Sequence, residues 1–127
     1  ALPILDDTSD ENGCIRFLDG SHKGGARRHV TRFADGSHCE PHLPTNEYSL
    51  DDTIPVPANR GDVVIFHLHM IHGSRINQTD RIRRLVRVGY RDPENAQLGG
   101  QSKTRPGLMV WGRRPRAEGQ MPFSTEI

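Results

Sequence analysis

The sequence predicts an all-β domain, a sandwich or barrel of short strands. Three observations carry that expectation. Short apolar and β-branched runs recur along the chain, each bounded by Gly, Pro, Asn, Asp or Ser. With 13 Gly and 9 Pro among 127 residues, no stretch offers a helix longer than about two turns. The run from Arg81 to Arg91 alternates between two unlike sets of side chains, the period of a strand.

Taken in order, strands are expected at Leu2–Leu5, Cys14–Leu18, Thr53–Pro57, Asp62–His67, Ile82–Tyr90 and Gly107–Trp111. Turn-rich segments join them at Asp6–Gly13, Asp19–Gly25, Ala58–Gly61 and Ser74–Thr79. Ala26–Ser49 gathers His29, His38, Cys39, Glu40 and His42 among Pro and Gly, and it is expected to be a long loop, a class that often forms lids or binding loops. Residues 112–127 are polar and rich in Pro and Gly, so the domain is expected over 1–111 with a loosely ordered tail beyond it. In the strand after Arg81, Ile82, Arg84, Val86, Val88 and Tyr90 share one largely apolar face, suited to packing on a core. Arg83, Leu85, Arg87 and Gly89 share the other, suited to a polar, ligand-holding interior.

A net charge of +1 gives no ground for nucleic acid or an anionic membrane as a partner. The cluster Arg81, Arg83, Arg84 and Arg87 lacks the aromatic platform that nucleic-acid binding would add. No apolar run approaches the roughly 20 residues that cross a bilayer. No export, membrane or peroxisomal signal is visible, and the expected compartment is the cytoplasm. The hydrophobic fraction is 33%, below an average domain, so either the interior is partly polar or core is borrowed from further sequence. Cys14 and Cys39 lack metal-site spacing and are expected to be buried thiols.

The chemistry concentrates around His72-Gly73-Ser74-Arg75-Ile76-Asn77 and Arg83. A histidine at a strand end gives a neutral nitrogen to a divalent metal, or simply bonds a loop carbonyl. An arginine on the next strand matches a carboxylate with two parallel bonds. Gly73 allows close backbone approach, Ser74 adds a hydroxyl, and Asn77 stabilises a turn or meets substrate. His67 is placed to orient a ligand, and Arg87 to meet an anionic substrate group. A facial triad needs two histidines and a carboxylate. His38-x-Glu40 has the form of the missing pair and stands as the alternative set of ligands.

Several pieces, in this order, resemble the phytanoyl-CoA dioxygenase family of non-haem iron oxygenases. They are Leu5-Asp6-Asp7, Glu11 to Arg16, Asp19-Gly20-Ser21-His22-Lys23, Gly61 to His67, His72-Gly73-Ser74-x-x-Asn77, Arg83-Arg84 and Tyr90-Arg91. Asp19 stands where the family has proline. The resemblance implies a double-stranded β-helix, a cupin-like jelly roll lacking its N-terminal portion here. It implies Fe(II) held by His72, and 2-oxoglutarate as co-substrate gripped by Arg83 with help from Ser74. The family's H-x-D motif would then precede Ala1. The implied reaction hydroxylates a small organic substrate, anionic or carrier-linked, with O₂, giving succinate and CO₂; some relatives halogenate instead. The rival readings are a cupin-like module that binds metal or ligand without turnover, and an inactive fragment of the oxygenase.

Overall fold

The computed structural model describes residues 1–95 and 107–112. The chain divides into two compact units, Ala1–Val88 and Gly89–Ile127. The first holds all the strands among the described residues: β1 Leu2–Pro3, β2 Ile15–Phe17, β3 Val30–Arg32, β4 His38–His42, β5 Ile54–Val56, β6 Val63–Val64 and β7 His72–Ser74. Two single turns of 3₁₀ helix, Ser21–Gly24 and Leu50–Asp52, are its only described helical pieces. The class is therefore all-β, as the turn-rich sequence requires. Of the second unit, Gly107–Trp111 forms no strand, contrary to expectation. The expected tail lies, apart from Gly112, outside the described residues.

In the first sheet β1 pairs with β6 in antiparallel register, Leu2 opposite Val64 and Pro3 opposite Val63. Its other edge takes the segment 84–88. Leu5 N donates to Arg84 O (3.1 Å), Val86 N to Pro3 O (3.0 Å) and Val88 N to Ala1 O (2.9 Å). Ile82–Tyr90 is thus extended, but its only strand bridge is Leu85 opposite Ile4. That bridge gives the Arg83 face the interior expected of it and denies the face of Ile82 and Val86 the core expected of it. Residues directly opposite share a face, and Ile4 is 3% exposed, so Leu85 and Arg83 turn inward. Ile82 (70% exposed) and Val86 (45%) turn outward. The periodicity of the segment is as expected; the pairing register decides which face the core receives.

The second sheet has the order β5-β2-β7, all antiparallel. Pro55 is accommodated because β5 is an edge strand. The alternation of β2 sends Ile15 and Phe17 to one face and Arg16 to the other. Arg16 is 5% exposed. Its Nε donates to Thr53 Oγ1 (3.0 Å), one Nη to Thr53 O (2.8 Å), and the other Nη to the Asp10 carboxylate. Among the described residues only Leu2, Ile4 and Cys14 are buried hydrophobics, beside the buried Thr8, Asn12, Arg16 and Thr53. The low apolar content therefore corresponds to a partly polar interior in which Thr8, Asn12, Arg16 and Thr53 are bonded, as burial demands.

Ala26–Ser49 is not a featureless loop. β3 and β4 form a hairpin, Val30 opposite His42 and Arg32 opposite His38, with an irregularity between the two pairs. The turn is closed by Phe33 N to Ser37 O (2.9 Å) and Gly36 N to Phe33 O (3.0 Å), with Gly36 at φ 85°. Asp35 accepts from Ser37 N and Oγ at 2.9 and 2.6 Å, and the Ser37 hydroxyl holds the Asp35 carboxyl below the usual carboxylate range. His38 and Glu40 therefore stand on a strand, not a loop. Both Cys14 and Cys39 are free thiols; Cys14 is buried and Cys39 half-buried. Burial pushes the Cys14 thiol pKa up. Among the described residues no helix is long and apolar enough to cross a membrane.

Candidate cofactor and metal site

β7 carries the candidate site. Phe17 lies opposite His72 and Ile15 opposite Ser74, so His72 and Ser74 share one face of the sheet with Ile15 and Phe17. Ile54 and Val56 join that face from β5. Gly73 points the other way, where a Cβ would come within 2.8 Å of Leu50 Cδ2; the glycine lets β7 lie against the turn Leu50–Asp52.

The segment before His72 is tied to the sequence Gly20-Ser21-His22-Lys23. Ile71 N donates to Ser21 Oγ (2.8 Å), Ser21 Oγ to Met70 Sδ (3.3 Å), and Leu18 N to Ile71 O (3.0 Å). Ser21 is a positioning residue that sequence reasoning noted only as part of a motif. Its signal was its place in that motif.

His72 is exposed, and its Nδ1 bonds Met70 O at 2.8 Å. A carbonyl can only accept, so Nδ1 carries the proton and Nε2 keeps a free lone pair, the form that ligates a metal. The two sequence readings of this histidine are thus compatible, because the carbonyl bond sets the ligating tautomer. Its ring centroid lies 4.9 Å from that of Phe66 and 6.4 Å from that of Phe17. Both phenylalanines wall a cleft of about 470 Å³ that also includes Ile54, His22 and His67.

Arg83 lies on the inward face of its segment, half-buried. Its Nε is buried and has no hydrogen-bond partner. Its charge is near enough to bear on the buried Cys14 thiol, although desolvation dominates there. A buried guanidinium nitrogen without an acceptor is costly, and a carboxylate is the acceptor its fork matches best. Next to it, Arg84 clamps Asp6 through Nε to Oδ2 (2.8 Å) and Nη2 to Oδ1 (2.9 Å), and the Arg84 backbone N adds a bond to Oδ2 (2.8 Å). The Arg84 side chain holds the Asp6 pKa down to about 2. This clamp fixes the segment that presents Arg83.

The remaining sequence candidates make other contacts or stand exposed. Asn77 builds the turn between β7 and Arg83: its Nδ2 donates to Arg81 O (2.7 Å), and its Oδ1 accepts from Thr79 N (2.9 Å) and Oγ1 (2.7 Å). His67 Nδ1 accepts from His69 N (3.1 Å), and the His67 ring lies 5.9 Å from that of His22, whose Nδ1 is buried without a partner. Arg87 is exposed. His38 and Glu40 are exposed on β4, and no group of three or more His, Cys, Asp or Glu among the described residues could hold a metal ion. Of the histidines in the hairpin region, those that share a cleft with His72 are His29 and His42. Neither was singled out as a site residue from sequence, because no motif or spacing links them to position 72.

The donors on hand fit one metal position at His72 and a carboxylate at Arg83, with the Ser74 hydroxyl on the same face as His72. They do not fit a complete three-ligand iron site within the described residues.

Comparison with known proteins agrees with this pattern. The family model of phytanoyl-CoA dioxygenase (PhyH) matches residues 2–85. The chain is 31% identical over 93 residues to phytanoyl-CoA dioxygenase domain-containing protein 1 of Danio rerio, covering 72% of this chain and 32% of that protein. It is 31% identical over 98 residues to phytanoyl-CoA dioxygenase 1 of Oryza sativa subsp. japonica, covering 77% and 34%. It is 38% identical over 76 residues to 1-deoxypentalenic acid 11-beta-hydroxylase of Streptomyces exfoliatus, covering 58% and 26%. The chain thus spans about a third of the length of the curated relatives it matches. No solved structure matches it significantly.

Proposed function

The chain belongs to the phytanoyl-CoA dioxygenase family, and from that premise we propose that it is part of an Fe(II)- and 2-oxoglutarate-dependent oxygenase that hydroxylates a small organic substrate. The observation that carries the reading is the buried, unpartnered Nε of Arg83, on a segment fixed by the Asp6–Arg84 clamp. Support also comes from a relative named as a hydroxylase of a carboxylic acid.

In this reading His72 holds Fe(II) through Nε2, and Arg83 holds the far carboxylate of 2-oxoglutarate, with Ser74 donating a hydroxyl. When bound, iron, O₂ and 2-oxoglutarate supply the oxidising power, which is balanced by decarboxylation to succinate and CO₂. The chain's own residues bind and orient. The Met70 carbonyl keeps the His72 proton on Nδ1, so its lone pair stays available. Phe17 and Phe66 cover the imidazole with apolar surface, which excludes water from one side of it. The fork of Arg83 fixes the direction of the co-substrate, since two parallel bonds set angle as well as distance.

Anaerobic calorimetry of 2-oxoglutarate binding to the intact protein tests this. Arg83→Gln is expected to weaken binding at least about tenfold, in line with a lost charge-assisted bond. Arg83→Lys should recover only part of it, because a point charge lacks the fork. Affinity unchanged in Arg83→Gln would remove the assignment.

A further inference from the structure

The cleft of about 470 Å³ walled by Phe17 and Phe66 adjoins the His72 ring, yet the roles given to His72, Ser74 and Arg83 leave its own chemistry unused. Its wall is mostly hydrocarbon, from Phe17, Ile54, Val56, Ile65 and Phe66. Part of that surface stands in water: Ile54 is 56% exposed and Ile65 79%. Fixed charge enters at one residue. Asp19 lines the cleft, and neither Lys nor Arg does.

Asp19 owes its place to the turn around it. Leu18 N donates to Ile71 O (3.0 Å), which pins the chain on one side of Asp19. Gly20, at φ 67°, bends it on the other side into Ser21–Gly24. None of the ion pairs among the described residues includes Asp19. His22 shares the cleft, and its Nδ1 is buried without a partner. With the His22 proton on Nε2, that nitrogen is an acceptor. The Nδ1 of His67, the other imidazole in the wall, is already taken by His69 N (3.1 Å).

The polar end of the cleft is therefore a carboxylate and an unused acceptor beside apolar walls. A carboxylate or phosphate ligand would meet the Asp19 charge and find no cation. A wholly apolar ligand would strip water from Asp19 and give it no partner, which is costly. A primary ammonium has three donors and no acceptor. It makes a charge-assisted bond to a carboxylate, has donors left for a second acceptor, and is attracted to aromatic faces. The cleft has the volume of small-molecule sites. We propose that it binds a primary amine with an apolar body, the ammonium on Asp19 and His22 and the body on Phe17, Ile54 and Phe66. Because Phe17 and Phe66 also meet the His72 ring, the bound amine is the oxygenase substrate; that last step rests on the function proposed above.

Calorimetry on the intact protein, without metal or 2-oxoglutarate, tests the cleft apart from turnover. The probes are 2-phenylethylamine, 2-phenylethanol and 3-phenylpropanoate at mildly alkaline pH, where the amine is still a cation and free imidazole is neutral. The amine is expected to bind at least about tenfold more tightly than the alcohol, the gain of one charge-assisted bond, and the carboxylate more weakly than either. Asp19→Asn should cancel the advantage of the amine and leave alcohol binding unchanged, and Asp19→Glu should keep part of that advantage. Ile54→Thr should weaken amine and alcohol alike. Asp80→Asn, which removes an exposed carboxylate outside the cleft, should change neither. Equal binding of amine and alcohol overturns the proposal, as does wild-type amine affinity in Asp19→Asn. Asp19-dependent amine binding, in a protein that consumes no 2-oxoglutarate when iron is supplied, would uphold the cleft and remove the oxygenase reading. Arg83-dependent 2-oxoglutarate binding with no preference for the amine would do the reverse.

Discussion

Gly13 shows how one residue can hold two distant segments together beside the site. Its φ is 82°, and a Cβ there would lie 2.4 Å from Arg75 O, one residue beyond β7. Both the left-handed backbone and the missing Cβ are needed at this position. Gly13→Ala is therefore expected to destabilise the fold by about 1–3 kcal/mol, read from the shift in urea midpoint. A shift smaller than that of an exposed loop glycine such as Gly36 would contradict the close approach. At this scale the inner face of Arg83 was legible from strand alternation. Ser21, His29 and His42 were not. Their contribution arises from contacts with Ile71 and Met70 and from the cleft shared with His72, segments about 30 to 50 positions away, and no local spacing encodes such contacts.

Among the elements, the one that presents Arg83 depends most on charge. The segment 84–88 has a single strand bridge, and the bidentate Asp6–Arg84 pair supplements it. The Asp6 pKa falls from 3.8 to about 2 in the folded chain. A carboxyl with a folded pKa below its unfolded one stabilises the fold above the unfolded value and loses that contribution as pH falls through the folded one. Wild type should therefore be more stable than Asp6→Asn at neutral pH. The gap should close between about pH 4 and pH 2, as measured by urea midpoints across that range. A gap that persists unchanged at pH 2 would mean that the clamp does not act through ionised Asp6. Strand positions were the most legible elements, Gly107–Trp111 excepted; the outward turn of Ile82 and Val86 and the hairpin β3–β4 were not. The first depends on which residue Ile4 chooses as partner. The second is polar, short and irregular in register, so it lacks the apolar alternation by which strands are recognised.

For the molecule as a whole, the all-β class followed from short apolar runs, turn density and alternation together, whereas the polar interior was visible only as one of two explanations for low apolar content. The described residues provide one histidine suited to iron at the site, and one imidazole does not hold Fe(II) tightly. Anaerobic iron titration of this chain alone is expected to give no stoichiometric, 2-oxoglutarate-dependent visible band. Such a band would move His38 and Glu40 from bystanders to ligands.

The pairing of β1 has a consequence for how the chain is made. β1 is the inner strand of its sheet, yet its partners are β6 on one side and residues 84–88 on the other. At about 5–20 residues per second of synthesis, its second partner emerges many seconds after β1 itself. During that interval Leu2 and Ile4 lie on an open strand edge, an aggregation hazard until it is covered. Arg83 cannot take its inward position until Leu85 meets Ile4, so the carboxylate clamp is among the last parts of the first unit to form. Slow, late closure of this kind is the expected cost of a sheet whose neighbours lie so far apart along the chain.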